Sequence, residues 1–242
     1  MEKETRERKP HAILDEDSRY KKAKKIHVIV ERFGPSKTGN FLEVGTGSGF
    51  IAAYFTKIFS KVNAIDVNDQ RQTKENINFK LVSGTKLPFS DGYFDLAVSN
   101  HVIEHVGDYT SQLDHLSEIY RVLKKDGILY LAVPNRWRII EPHYRLPLLS
   151  WFPRFLSDLY VKLTGKGKFY DCLPLSRNGA FEILQKSGYE VQEVTIDAIR
   201  IYGEVEAKNP IVKFIATLPR FFFLLFNPWI ATLIFVCKKK SK

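Results

Sequence analysis

The chain has 242 residues, of which 44% are hydrophobic, and its 37 Lys and Arg outnumber 27 Asp and Glu for a net charge of +10. This apolar content excludes a chain that is disordered throughout, and two cysteines exclude a disulfide-stapled secreted miniprotein. The amino-terminal residues are charged where a secretory signal would be apolar, so we expect a reducing cytoplasm and ordinary thiols at Cys172 and Cys237.

The first half of the chain alternates short apolar runs with helical stretches. Residues 1–16 are polar and aperiodic, which predicts a mobile arm before a single domain over 17–242. An apolar stripe then predicts an amphipathic helix ending near Gly34, with a lysine run on its solvated face. The predicted strands cover 41–44, 62–65, 79–82, 94–98 and 128–133, and the predicted helices cover 50–59 and 109–124. This alternation predicts an α/β fold with a doubly wound sheet.

The alternation of predicted strands and helices stops over residues 135–175. They are rich in aromatic residues, Arg, Pro and Leu, and they are too long for a simple connection. We interpret them as an inserted lid over an acceptor site, while simple packing on the domain is the other interpretation. Arginines and His143 followed by the apolar stretch 146–155 would suit an acceptor with a polar head and a hydrophobic tail. A helix over 176–186 and a strand over 189–199 are predicted next.

The carboxyl-terminal region contains a mostly apolar run over 221–237. It is shorter than a membrane span needs, and Asn227-Pro228 interrupts it. We predict a helix over 210–226 and a last strand over 229–236. From Ala207 onward there are seven Lys and Arg and no acid, so the helix either packs on the core or rests on an anionic membrane surface.

The glycine-rich stretch Glu43 to Gly49, EVGTGSG, lies between a predicted strand and a predicted helix. Its glycines permit a tight turn and a close approach of the backbone to a ligand. The third glycine comes one residue earlier than in a dinucleotide loop, and Glu43 would repel a pyrophosphate but attract an ammonium group. Asp66 ends the next strand, where a carboxylate can accept hydrogen bonds from both ribose hydroxyls. A ribose beside a cationic amino acid, without phosphate, describes S-adenosylmethionine.

These residues resemble the class I S-adenosylmethionine-dependent methyltransferases, in particular the type 11 and ubiquinone-type O-methyltransferases. The similarity covers about residues 38–134, through FLEVGTGSG, VNAIDVN, KLPFSDGYFDLAVSNHVIEHV and LKKDGILYLAVPN, and it is looser over 176–200 and 228–240. It implies a Rossmann-like seven-stranded sheet with an antiparallel final hairpin. It also implies S-adenosylmethionine as the cofactor.

The resemblance also implies the residues that contact the cofactor. Glu43, Gly45 and Gly47 would hold the methionine portion, with Asn100 beside it, and Asp66 would hold the ribose. Thr46 and Val67 are further predicted contacts of the cofactor. Relatives carry an Asp for the adenine amino group where this chain has Ser83, followed by Gly84 and Thr85. A hydroxyl or a backbone carbonyl is expected to replace that carboxylate.

His101-Val-Ile-Glu104-His105 spells H-x-x-E-H, the inverted zinc-protease motif when it lies on a helix. Here it directly follows a buried strand and lacks the context of a protease, so no metal is assigned to it. Glu104 and His105 are open to three roles: a structural pair, a general base, or ligands of a divalent ion. His143 is a further candidate for the base, which gives Glu104, His105 and His143 as the catalytic candidates.

The favoured function is therefore methylation, at oxygen, of a small or lipid-linked acceptor by a cytoplasmic protein that can lie on the inner membrane face. An NAD-dependent oxidoreductase or epimerase is the first alternative, disfavoured by the loop spacing and by Glu43. A membrane-associated binding module with a vestigial cofactor site is the second. No specific nucleic-acid partner is expected, because basic charge alone indicates only nonspecific attraction.

Overall fold

A computed structural model describes residues 12–36 and 38–240. Most of the predicted arm, residues 1–11, lies outside the described residues. The described helices and strands are α1 (Glu16–Glu31), β1 (Asn40–Val44), α2 (Phe50–Phe55), β2 (Lys61–Asp66), β3 (Ile77–Leu81), β4 (Phe94–Asn100), α3 (Tyr109–Val122), β5 (Leu123–Pro134), β6 (Ile140–Glu141), β7 (Leu146–Pro147), α4 (Arg154–Leu163), α5 (Arg177–Lys186), β8 (Tyr189–Glu193), α6 (Thr195–Val205), α7 (Pro210–Ala216), α8 (Arg220–Leu225) and β9 (Thr232–Lys239).

Seven strands form one sheet in the order β3-β2-β1-β4-β5-β9-β8, which confirms the predicted seven-stranded α/β fold. The first five are parallel to one another, and β9 runs antiparallel to both β5 and β8. The last two strands therefore pair antiparallel, as expected, but α6, α7 and α8 connect them instead of a tight turn. The crossover helices bury both faces of the sheet, which explains why the strand sequences are nearly continuous apolar runs.

Two hydrophobic layers flank the sheet. One contains Ile26 and Val30 of α1 with Phe55 of α2, and the other contains Leu116 of α3 with Ile183 of α5. The amphipathic character predicted for α1 is thus confirmed, with Asp15 capping its first turn.

The lysine run of α1 is less solvated than the sequence predicts. Lys25 is buried, and its Nζ lies 2.7 Å from Glu206 Oε1, while Lys22 Nζ lies 3.1 Å from Glu206 Oε2. Burial lowers the pKa of Lys25 to about 8. These two lysines therefore join α1 to the end of α6, and they do not form a free basic patch.

Three boundaries in the second half differ from the prediction. The strand from Tyr189 ends at Glu193, and α6 follows because its apolar residues fall at helical spacing against α1 and β9. The predicted helix over 210–226 is two short helices, because Pro219 cannot continue the hydrogen-bonding of α7 and instead begins α8. Because Asn227–Trp229 form a 3₁₀ turn, the last strand begins at Thr232 and not at residue 229 as predicted.

Residues 135–175, called the insert from here on, carry β6, β7 and α4 between β5 and α5. They bury a small core of their own, formed by Leu146, Leu149, Val161, Tyr170 and Cys172. Within the described ranges, no helix has the combination of length and apolar character that crossing a membrane requires.

Candidate functional site

Four parallel strands end at the same edge of the sheet. The register pairs Val44 at the end of β1 with Ile65 of β2 and with Ser99 of β4. Asp66 at the end of β2 pairs with Leu81 at the end of β3. Each residue predicted to contact a cofactor lies at the end of one of these strands or just beyond it, so the fold brings them all to this edge.

The glycine loop joins β1 to α2. The φ angles of Gly45, Gly47 and Gly49 are 72°, 51° and 81°, in the left-handed region that favours glycine. A Cβ atom on Gly45 would lie only 2.4 Å from Val102 Cγ2, so the loop packs directly on the segment that follows β4. Thr46 is buried, and its backbone N–H, like that of Gly45, donates to the carbonyl of Ile65. This cradle fits a ligand that contacts the backbone itself.

The Glu43 carboxylate bonds to the glycine loop and to the first turn of α2. It is buried, and Oε2 accepts hydrogen bonds from Thr46 Oγ1 at 2.6 Å and from the Ala52 N–H at 3.0 Å. Burial raises the pKa of Glu43 to about 8. The contact with a ligand ammonium that the sequence suggests stays a prediction, because the bonds observed for this carboxylate are with the protein.

Arg19 of α1 was not foreseen from the sequence. Burial lowers the pKa of its guanidinium, while the charges of Glu206 and Glu43 act in the opposite direction. Arg19 thus contributes positive charge near the carboxylate beneath the loop. Nothing in its spacing from Glu43 reveals this, since the proximity arises from the packing of α1 against α2.

Asp66 connects the loop to the end of β2. Its Oδ2 accepts a hydrogen bond from the Gly47 N–H at 2.8 Å, and its Oδ1 accepts one from the Asn68 N–H at 3.1 Å. A carboxylate has about four lone-pair positions, so each oxygen can still accept from a hydroxyl group. Val67 follows with 56% of its surface exposed, which offers an apolar contact beside that carboxylate.

The segment after β3 contains Ser83, Gly84 and Thr85, for which the adenine contact is predicted. Ser83 and Gly84 are exposed, and Thr85 is half-buried. Gly84 has φ of 73° and open space where a Cβ would lie. Asn100, at the end of β4, is half-buried at the same edge of the sheet.

The H-x-x-E-H stretch does not form an α-helix. His101 has a left-handed φ of 58°, and only Ile103–His105 forms a 3₁₀ turn. Both imidazoles approach the same oxygen of Glu104, with His101 Nδ1 3.5 Å and His105 Nε2 3.9 Å from its Oε1. Glu104 is fully buried, which opposes its ionisation, but the two histidines outweigh burial and hold its pKa below the usual value. The inverted zinc-protease arrangement is therefore not formed.

The insert adds a second set of polar groups to this motif. His143 Nδ1 lies 2.7 Å from Glu141 Oε1, and the His143 ring meets the His105 ring edge-on with centroids 5.0 Å apart. Burial disfavours the imidazolium, but the bond to Glu141 raises the pKa of His143 above its usual value. The structure thus places the catalytic candidates Glu104, His105 and His143 in one cluster where the insert meets the core.

Cys172 is the residue of this cluster that sequence reasoning missed. Its Sγ lies 3.5 Å from His143 Nδ1 and 3.7 Å from His105 Nδ1. Burial, with the charges of Asp171 and Glu141, raises the pKa of the thiol. Since 67 residues separate Cys172 from His105, no spacing in the sequence points to the contact.

The apolar stretch 146–155 is not one continuous wall. Leu146 and Leu149 are buried in the core of the insert, whereas Phe152 and Phe155 face outward. Arg138 lies beside this core, and its Nε donates to the Ile140 carbonyl. The insert therefore has an internal apolar side and an exposed apolar side.

Comparison with known proteins identifies relatives of this architecture. Residues 42–131 match the methyltransferase domain family. The chain is 27% identical over 154 residues to a ubiquinone/menaquinone biosynthesis C-methyltransferase of Desulfotalea psychrophila, covering 57% of this chain and 61% of the relative. It is 25% identical over 134 residues to a ubiquinone biosynthesis O-methyltransferase of Pelagibacter ubique, covering 49% of this chain and 53% of the relative.

The fold itself is shared with a solved S-adenosylmethionine-dependent methyltransferase from Mesorhizobium loti. The TM-score is 0.57 at 13% identity, with 89% of this chain and 98% of that chain covered. The chain spans only about three fifths of the length of the first of these sequence relatives. These relatives give no support to an oxidoreductase or to a binding module with a vestigial site.

Proposed function

We propose that this chain is a class I S-adenosylmethionine-dependent methyltransferase and that it methylates an oxygen atom of a small or lipid-linked acceptor. The observation that carries the proposal is the convergence of the glycine loop and Asp66 at adjacent strand ends within the matched domain, residues 42–131. S-adenosylmethionine is the cofactor of this family, and it supplies a methyl group on a positively charged sulfur.

The chain's own residues would hold the cofactor from three sides. Asp66 accepts the ribose hydroxyls with the lone pairs that its bonds to the loop leave available. The backbone of Gly45 and Gly47 approaches the methionine portion, and Asn100 lies beside it. Ser83 and its neighbours supply the adenine contact through a hydroxyl or a carbonyl, since no carboxylate is present there.

Transfer to an oxygen atom requires the loss of one proton from the acceptor. His105 and His143 are the candidate bases, because both lie at the junction of insert and core within one cluster with Glu104. The close packing of Gly45 on Val102 supports this assignment, because Val102 belongs to the motif and Gly45 to the glycine loop. Alignment of the reactants and exclusion of water would provide the rest of the rate enhancement.

We propose a membrane surface as the place where this acceptor is met. Helices α7 and α8 with the turn after them leave a row of large apolar side chains exposed, namely Ile211, Phe214, Ile215, Phe221, Leu224, Leu225, Phe226 and Trp229. Lys208, Lys213 and Arg220 are the charged residues over 207–231, and no acid occurs there. Apolar side chains flanked only by positive charge are typical of segments that rest on anionic bilayers.

The insert has a second exposed apolar row. Phe155, Leu159 and Leu163 recur every four residues on α4, and they are 71%, 49% and 76% exposed. Val161 of the same helix points into the core of the insert. The outward row offers a contact for the hydrophobic part of a lipid-linked acceptor, with the protein on the cytoplasmic side of the inner membrane.

Product analysis tests the site of methylation. The protein is incubated with methyl-¹³C-labelled S-adenosylmethionine and a lipid extract, and the ¹³C shift of the product separates a methoxy group from a methyl group on carbon. His105→Ala and His143→Ala should each lower the rate, by about 10²-fold or more for the residue that is the base, without weakening cofactor binding. Methyl groups found only on carbon would contradict oxygen transfer, and full rates in both variants would contradict the assignment of the base.

Cosedimentation with vesicles tests the membrane surface. Binding should require anionic lipid and decrease with salt, and Phe221→Ser with Leu225→Ser should remove most of it. Tyr109→Ser is the matched control, because Tyr109 is an exposed aromatic residue on α3 and not on these helices. Equal binding by the control and the double variant, or binding indifferent to lipid charge, would contradict the proposal.

A further inference from the structure

Three side chains of the kind that bind transition metals meet where the insert contacts the core. They are His105 at the end of the 3₁₀ turn, His143 after β6, and Cys172 near the end of the insert. One candidate ligand atom from each lies within 4.8 Å of those of the other two. The three come from separate parts of the chain, so the fold alone creates the group.

The distances within the group suit a metal. In a tetrahedral zinc site, bond lengths of about 2.3 Å to sulfur and about 2.0–2.1 Å to nitrogen place these atoms about 3.5 Å apart. The observed separations from Cys172 Sγ are 3.5 Å to His143 Nδ1 and 3.7 Å to His105 Nδ1. The thiol also donates to Asp171 Oδ1 at 3.4 Å. The two ring nitrogens thus already lie about as far from the sulfur as the ligand atoms of one tetrahedral ion lie from one another.

Glu104 adds a buried negative charge behind the cluster. The residue is 1% exposed, and its Oε1 lies 3.5 Å from His101 Nδ1 and 3.9 Å from His105 Nε2. A buried carboxylate is costly unless positive charge lies nearby. The His105 ring stands between the two groups, with Nδ1 toward Cys172 and Nε2 toward Glu104 at 3.9 Å. A carboxylate behind a ligating imidazole is the common second layer of a zinc site.

We propose that His105, His143 and Cys172 bind a divalent transition metal, with zinc as the first candidate, and that this metal ties the insert to the core. Nitrogen and sulfur donors favour zinc over magnesium or calcium. Glu141, now 2.7 Å from His143 Nδ1, gives up that nitrogen when the metal binds, and its charge remains beside the cation. Three protein ligands leave one position of a tetrahedral ion for water or an acceptor oxygen.

The backbone around the cluster is already arranged to hold these ligands. The Leu173 N–H donates to the Glu104 carbonyl at 2.8 Å, directly after Cys172. The Gln112 amide of α3 donates to the carbonyls of both Ile103 and Leu173, which joins the same two segments. The end of the insert is therefore fixed against the 3₁₀ turn without metal, and the metal adds the His143 segment to that connection.

An occupied site would change how the proposed reaction handles its proton. Both imidazoles become ligands, so they no longer serve as bases, and an acceptor hydroxyl bound at the fourth position would be acidified by the metal. This consequence rests on the proposed function. The binding of the metal does not, and it is tested without cofactor or acceptor.

Cobalt(II), a spectroscopic substitute for zinc, gives the direct test. The full chain, purified with reductant and stripped of metal, is titrated with cobalt(II) while absorption is recorded, and zinc is then added. We expect one equivalent of cobalt with a thiolate-to-metal charge-transfer band, which zinc displaces. Cys172→Ser should lose the band, whereas Cys237→Ser, which removes the other buried thiol from β9, should keep it.

Substitutions of His143 and Glu104 should lower the affinity for the metal to different extents. His143→Gln should abolish tight binding, and Glu104→Gln should weaken zinc binding by about 10- to 100-fold through His105. The His143 variant also serves if the Cys172 variant fails to fold, which circular dichroism of the metal-free proteins reveals. A titration without a one-to-one endpoint would overturn the proposal, as would a charge-transfer band that survives in the Cys172 variant or disappears in the Cys237 variant.

Discussion

Replacing Asp66 should weaken the binding of the cofactor while leaving the fold intact. Its two oxygens accept from the Gly47 and Asn68 N–H groups at 2.8 Å and 3.1 Å, and they are the proposed acceptors for the ribose. Asp66→Ala removes all of these. A hydrogen bond to a charged group contributes about 1.5–3 kcal/mol, so the loss of the ribose bonds should raise the Kd for S-adenosylmethionine by about 10-fold at the least, the effect of one bond at the lower value.

Calorimetric titration with S-adenosylhomocysteine measures this effect without turnover. Asp69→Asn is the matched control, because Asp69 is a more exposed carboxylate three residues further on that pairs with Arg71. An exposed ion pair contributes about 0–1 kcal/mol, so the control should change the Kd by less than about 5-fold. Equal affinities for the Asp66 variant and the wild type would refute the reasoning, and so would equal losses in the two variants.

Three further predictions concern stability, measured by urea unfolding. Because burial raises the pKa of Glu43 to about 8, the folded state favours its protonated form, and the contribution of Glu43 to stability should fall as pH rises from its unfolded pKa toward 8. Glu43→Gln should remove this contribution, so the difference in unfolding free energy between wild type and variant should change over that pH range. Gly45→Ala places a Cβ 2.4 Å from Val102 Cγ2 and should cost about 1–3 kcal/mol, part of which Val102→Ala should restore. Gly203→Ala places a Cβ 2.3 Å from that of Ala216 and should destabilise the α6–α7 contact, and Ala216→Gly should rescue it.

The first half of the fold could be predicted because its local signals agree. The strands from Phe41 to Val133 are apolar runs separated by glycine, proline and polar residues, and parallel strands buried on both faces need such runs. The meeting of the predicted cofactor residues at one edge of the sheet also followed from this order of strands, because the carboxyl ends of parallel strands lie together. The antiparallel last pair, in the second half, was expected from the resemblance to the family and not from these local signals.

The second half was harder because tertiary contacts decide it. The helix expected over 210–226 divides at Pro219, and the strand expected to reach Ile199 gives way to α6, whose apolar face packs on α1. Val, Ile and Thr suit both a strand and a buried helix face, so the sequence over 189–199 does not distinguish them.

The cluster where the insert meets the core was still harder to predict from the sequence, because tertiary contacts alone create it. Glu104, His105 and His143 were candidates from a motif and from composition, but their meeting with Cys172 depends on how the insert folds back. His105 and Cys172 are 67 residues apart, and no periodic pattern in a single sequence predicts a contact over that separation. The partial burial of Arg19 near Glu43 was missed for the same reason.

Parallel calorimetric titrations with S-adenosylmethionine, S-adenosylhomocysteine and NAD ask which ligand the glycine loop and Asp66 are built to bind. We expect one-to-one binding of the first two ligands and none of NAD. Binding of NAD alone, or of none of the three by folded protein, would contradict this expectation.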